Sequence, residues 1–225
     1  MAKGNSMTDQ ILDALREEIV NCRYDANELI TEGEISVRFQ VSKTPAREAL
    51  NYLCQEGLVE KLPHRGYLVK GFTARDLENL FQFRCILESA AVEQTIRLAS
   101  DREIATVSRL AERRVAPGDP EPYLQYSRLN VEFHLALAQL GRNPILVSTL
   151  QNVLNQLRRA LTLDWKQSDV NVLLQGHSEL MEAVAARDLP GAKQRIVQEC
   201  TCAESRIFVR ECGGDTPEVP LLSFR

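Results

Sequence analysis

Four polar side chains in the second half of the chain are spaced so that they meet. Asn130 and His134 lie four residues apart, on one face of a predicted helix. His177 shares a helix face with Leu173, Leu180, Met181 and Val184, so it points inward. Asp188 marks the turn of a helical hairpin, with His177 eleven residues before it and Glu199 eleven after it. Those two side chains therefore come to nearly the same height, and Asn130, His134, His177 and Glu199 can converge on one point. Arg84 sits among Leu77, Leu80, Leu87 and Ala91 at heptad-like spacing, which puts a guanidinium on an apolar face. Burying it unpaired is costly, and Glu88 at i+4 is one available partner. A second constellation, Ser42-Lys43-Thr44-Pro45-Ala46-Arg47, combines helix-cap residue types with a first-turn proline. Lys43 and Arg47 project from one side of the helix that follows. Its amino end would offer free N–H groups to phosphate and its first side chains to base edges.

Helical periodicity and turn residues supply the elements that hold these groups. Residues 8–22 carry Ile11, Leu12, Leu15 and Ile19 at helical spacing, and 25–29 read as a loop. Thr31 with Glu34 makes a capping-box pattern for a short helix. A second helix runs over about 44–56, ended by Gly57 in a left-handed cap. Residues 58–62 and 67–69 read as two strands joined by Pro63-His64-Arg65-Gly66. Three helices and a hairpin make a winged helix-turn-helix over 1–72. From Thr73 the pattern is all helical to 212, with spans near 74–99, 101–115, 122–140, 144–165, 170–187 and 190–212, and short connections that suggest an antiparallel bundle. Ser100 with Glu103 is another capping box. The fold class is mainly α, a winged helix-turn-helix followed by a helical bundle. Residues 1–6 read as a loose leader and 213–225 as a flexible tail.

The run from Phe39 through Val41-Ser42-Lys43-Thr44-Pro45, Arg47-Glu48-Ala49-Leu50, Glu56-Gly57-Leu58-Val59 and Arg65-Gly66 to Val69 resembles the amino-terminal domain of GntR-family bacterial transcription regulators. The resemblance implies that Ser42, Lys43, Thr44 and Arg47 contact double-stranded operator DNA. It also implies that the wing tip His64-Arg65-Gly66 enters the minor groove. Gly33 stands where some members place a DNA-contacting arginine. The pieces Phe83-Arg84, Leu87-Glu88, Asn130, Phe133-His134, Gly141, Asn143-Pro144, Gly176-His177 and Arg187-Asp188 are similar to the FCD effector-binding domain of the FadR branch. By that resemblance the convergent cluster holds a divalent metal, through one aspartate and three histidines in many members. Here Asn130 takes the aspartate position and Glu199 that of a histidine. One carboxylate and two imidazoles remain, enough for zinc, with nickel or manganese as alternatives. The other reading is a buried polar set that satisfies itself. The resemblance further implies that Arg84 clamps an effector carboxylate, with Asn130, His134 and His177 beside it. The effector is then a small carboxylate or sugar acid. Arg158 and Arg159 line the same cavity or a solvated face; the sequence leaves both open.

A net charge of −4 is not that of a general nucleic-acid binder, so distribution matters more than the total. Residues 35–47 hold three cations and no acid, and 61–75 hold four cations and His64, again with no acid. No apolar run approaches the roughly 18–20 residues that span a membrane. Six cysteines without paired spacing fit a reduced, cytoplasmic chain. The function expected is a transcription regulator, a homodimeric repressor on a palindromic operator. The competing expectation is a metal-dependent enzyme whose winged helix serves protein contacts. No separate general base or nucleophile constellation supports it.

Overall fold

In a computed structural model the chain is described over residues 6–166 and 168–211. The expected tail, the first five residues of the expected leader and Cys212 lie outside this range. Ser6, expected in the leader, instead caps the first helix.

Capping boxes fix where four helices begin. Ser6 with Asp9 starts α1 (Met7–Val20), Thr31 with Glu34 starts α2 (Glu32–Phe39), Thr73 with Asp76 starts α4 (Ala74–Leu98), and Ser100 with Glu103 starts α5 (Asp101–Ala111). In each, the hydroxyl accepts from the N3 amide while the N3 carboxylate reaches back to the cap N–H, satisfying two otherwise orphaned donors. Helix α3 (Lys43–Gln55) differs. Ser42 is its N-cap in extended conformation, but its side chain makes no capping bond, so the hydroxyl stays unspent.

The head is closed by a three-stranded antiparallel sheet of order β1-β3-β2, from β1 (Leu29–Ile30), β2 (Val59–Leu62) and β3 (Gly66–Val69). β1 corrects the loop expected over 25–29: Leu29 pairs with Leu68 and Ile30 with Tyr67. Two residues are too few to show alternation, and the partner lies nearly forty positions away. The β2–β3 register, Val59 to Val69 through Leu62 to Gly66, is the expected hairpin. Gly66 has φ +127, and a Cβ there would lie 2.6 Å from the Ile30 carbonyl oxygen, so β1 can approach only a glycine. Ile11, Leu15, Ile19, Leu50, Leu53 and Tyr67 form the head core.

The remaining helices are α6 (Pro122–Leu140), α7 (Pro144–Trp165), α8 (Val170–Ala185) and α9 (Leu189–Glu211). The long α4 runs through the bundle, packed against α6, α7 and α9. α5 stops four residues short of the expected 115. The chain leaves the helix near Arg113, whose N–H turns to Leu110 O, and the Val115 N–H is taken by the Asn171 side chain at 3.1 Å. α8 ends before Arg187, which has φ +58 and whose guanidinium bonds the carbonyls of Ile96 and Ala99 at the end of α4.

Head and bundle are joined by residues 70–73 and by α7. Arg158 holds Glu17 of α1 with bonds of 3.0 and 3.2 Å. Arg159 Nη1 donates to the carbonyls of Ile19 and Tyr24, and Thr162 Oγ1 to that of Val20. These carbonyls lie at and beyond the carboxy end of α1, where helix acceptors lack intrahelical partners. Arg158 and Arg159 therefore line neither the cavity nor a solvated face; they dock the head. Gln156 lies against Gly57, at the end of α3.

Candidate effector site and nucleic-acid interface

The bundle brings the convergent cluster together. α4 contributes Arg84 and Glu88, α6 Asn130 and His134, α8 His177 and α9 Glu199. All are buried except Glu199, whose side chain is 23% exposed and opens the cluster to a cavity. Glu199 Oε1 lies 3.0 Å from His134 Nε2 and 4.0 Å from His177 Nε2. Asn130 Oδ1 lies 3.1 Å from His177 Nε2 and accepts from the Tyr126 hydroxyl at 3.3 Å. Phe133 stacks on the His177 ring at 4.2 Å between centroids, which fixes the imidazole plane.

Arg84 completes the cluster and settles its charge. Nε donates to Glu88 Oε1 at 2.9 Å, so the i+4 pair exists. Nη2 donates to Glu199 Oε1 at 2.8 Å and lies 3.0 Å from His134 Nε2. Nη1 makes no hydrogen bond among the described residues. Burial alone would lower the Arg84 pKa, but Glu88, Cys200 and Glu199 more than reverse this and the guanidinium stays charged. Burial likewise works to raise the Glu199 carboxyl, and His134, Arg84 and His177 hold it well below the ordinary range. Burial pushes the His177 imidazole down to about 3, so it is neutral at physiological pH with a lone pair to offer.

The donor set fits a divalent cation. One ligating atom each from His134, His177 and Glu199 lies within 4.8 Å of the others. Two nitrogens and an oxygen, with the amide oxygen of Asn130 adjacent, suit a borderline metal. Two features work against loading. Arg84 Nη2 occupies lone pairs that a metal would take. His177 Nδ1 is also buried without a partner among the described residues, so it lacks the acceptor that usually orients a ligating imidazole.

A cavity of about 370 Å³ adjoins the cluster. Arg84 and Glu199 line it, with the apolar Leu161, Trp165 and Leu173, the polar Tyr126, Gln175 and Gln198, and the charged Glu179, Arg195 and Arg206. The sequence reading missed Tyr126, Trp165 and Arg206. Tyr126, one turn before Asn130 on the same helix face, was the available signal.

In the head, Ser42, Lys43, Thr44 and Arg47 are exposed together at the start of α3, and His64 and Arg65 are exposed at the wing tip. Gly66 is half-buried at the start of β3 and serves the close approach to Ile30. Arg47 is not free: Nε and Nη2 bond both oxygens of Glu32, at 2.9 and 2.8 Å. Of the seven cations in the two acid-free windows, Arg38 pairs with Glu18, Arg47 with Glu32 and Arg75 with Glu78. The acids come from outside the windows, so the head is less cationic than its local sequence.

A winged head on an all-helical bundle with a charged, partly enclosed cavity is the plan of a ligand-responsive DNA-binding regulator. The comparisons agree. Residues 79–198 match the FCD domain, and 7–69 match the bacterial regulatory proteins of the gntR family. The chain is 31% identical over 147 residues to the Nta operon transcriptional regulator of Aminobacter aminovorans, covering 65% of this chain and 70% of that one. It is 25% identical over 194 residues to the HTH-type transcriptional repressor RspR of Escherichia coli, covering 85% of each. Its fold matches that of E. coli McbR/YncC with a TM-score of 0.78 at 19% identity, over 92% of this chain and 99% of that one. The chain belongs to the GntR family of bacterial transcription regulators, in the FadR-like branch that carries an FCD domain. The relatives named here are transcription regulators, and no described helix is long and apolar enough to cross a membrane.

Proposed function

We propose that this regulator is a cytoplasmic homodimeric repressor released from its operator by a small carboxylate bound in the bundle cavity. The observation that carries this reading is Arg84, a buried guanidinium with one nitrogen, Nη1, left over beside a cavity and a two-histidine, one-carboxylate cluster. The name of the relative RspR favours repression. His134, His177 and Glu199 would hold a divalent metal, zinc first and nickel or manganese next, with Asn130 as the weaker fourth donor. When bound, the metal supplies a second cationic anchor for the effector's oxygen atoms. Arg84 Nη1 donates to the effector carboxylate, while Glu88 keeps the guanidinium plane fixed through Nε.

On DNA, Ser42, Lys43, Thr44 and Arg47 contact the major groove, and His64 and Arg65 reach the minor groove beside it. Two heads related by a twofold axis require two half-sites, hence a palindrome. The effector acts by binding the DNA-incompetent arrangement more tightly than the competent one. A mobility-shift assay on the upstream region of the protein's own gene, with and without candidate acids, tests the reading. A shifted complex dissolved by one acid is expected. No complex at low ionic strength, in the presence or absence of acid, overturns it.

A further inference from the structure

The cavity has a second cationic end. Arg206 stands seven residues after Glu199 on α9, two helical turns or about 10 Å along the same face. Its Nε donates to Asp164 Oδ2 at 3.0 Å, and the Asp164 side chain is 1% exposed. A buried carboxylate thus anchors one edge of the guanidinium. Both Nη nitrogens remain without an acceptor among the described residues, on a side chain that lines the cavity. Besides Arg84 and Arg206 the lining holds both apolar and polar side chains, with Asn130, Gln175 and Gln198 among the polar ones. The Tyr126 and Trp165 rings meet edge to face, 5.0 Å between centroids at 76°, with Leu161 and Leu173 beside them.

This arrangement narrows the effector class. A short monocarboxylate would leave Arg206 unused. We propose that the effector is a dianion, with one carboxylate for each of the two guanidinium groups. One carboxylate would meet Arg84, the body would pass Trp165 and the mixed lining beside it, and the second carboxylate would meet the free nitrogens of Arg206. The inference rests on the reading that the cavity holds an effector.

Calorimetric titration of the full chain with terephthalate, benzoate and gluconate tests it, alongside operator release by each. Terephthalate is expected to bind about tenfold more tightly than either monoanion, the factor for one added charge-assisted contact. Arg206→Gln should abolish that advantage and leave benzoate binding unchanged. Arg206→Lys keeps the charge beside Asp164 and guards against a folding defect; it should retain part of the advantage. Terephthalate binding no more tightly than benzoate overturns the second subsite, as does an undiminished advantage in Arg206→Gln. If gluconate then binds and releases the operator, the carboxylate-effector reading stands without it. If none of the three binds, both fall.

Discussion

Arg158 of the bundle and Glu17 of the head are clasped edge to edge, at 3.0 and 3.2 Å, while Arg158 Nε is held by Ser127 at 2.8 Å. Ser127 lies on α6 three residues before Asn130. One guanidinium therefore touches the helix that carries the site and the first helix of the DNA-reading head. Arg158→Met should leave operator and effector affinities each near native. The factor by which effector lowers operator affinity should shrink toward one. An unchanged factor in paired mobility-shift titrations would show that the clasp carries no coupling.

The same clasp has a pH signature. Burial works to raise the Glu17 carboxyl, and Arg158 outweighs it, leaving the pKa below its ordinary 4.5. A depressed carboxylate contributes stability above its unfolded value and loses it as pH falls through the lowered folded value. The difference in melting temperature between the native chain and Arg158→Met should therefore be full at neutral pH and shrink below 4.5. A gap that widens on acidification contradicts the assignment.

Arg84 and a metal compete for the same lone pairs on His134 and Glu199. Arg84→Met should consequently tighten zinc binding by about tenfold or more, by removing a cation as well as a rival donor. His134→Ala and His177→Ala should each abolish uptake. Native mass spectrometry and calorimetry with zinc alone read both results. Weaker zinc binding in Arg84→Met would refute the competition.

The two halves of the cluster were legible from helical pitch: His177 and Glu199 are equidistant from Asp188, and Asn130 and His134 are one turn apart. The capping boxes were equally local. What escaped was non-local. Glu32 finds Arg47 across fifteen residues, Glu17 finds Arg158 across more than a hundred, and β1 exists only because β3 lies beside it. A window of sequence shows the charge of Arg38 and Arg47 but not the acid that folding brings to each.

Glu32 sets a further expectation. Arg47→Ala should cost about 1–3 kcal/mol of operator binding if this arginine reads a base edge. Glu32→Ala removes a carboxylate from the DNA-facing side and should raise affinity for any duplex, mostly nonspecifically. Fluorescence anisotropy on operator and scrambled duplexes separates the two effects. A Glu32→Ala protein that gains only on the operator would instead mean that Glu32 mainly restrains base reading.

Gly66 should act through shape rather than contact. Gly66→Ala places a Cβ 2.6 Å from the Ile30 carbonyl oxygen at a φ that favours glycine. A loss of about 1–3 kcal/mol in stability should accompany any loss of DNA binding. Native stability with lost DNA binding would instead make the wing glycine a direct contact.

The connection between β3 and α4 is four residues long, at most about 14 Å of extended chain. With α7 as a second attachment, the head is leashed at two points and can tilt far more readily than it can travel. In the proposed dimer, two such heads make a caliper with a fixed jaw opening. Adding a base pair between the two halves of its target should defeat it as thoroughly as altering the letters it reads.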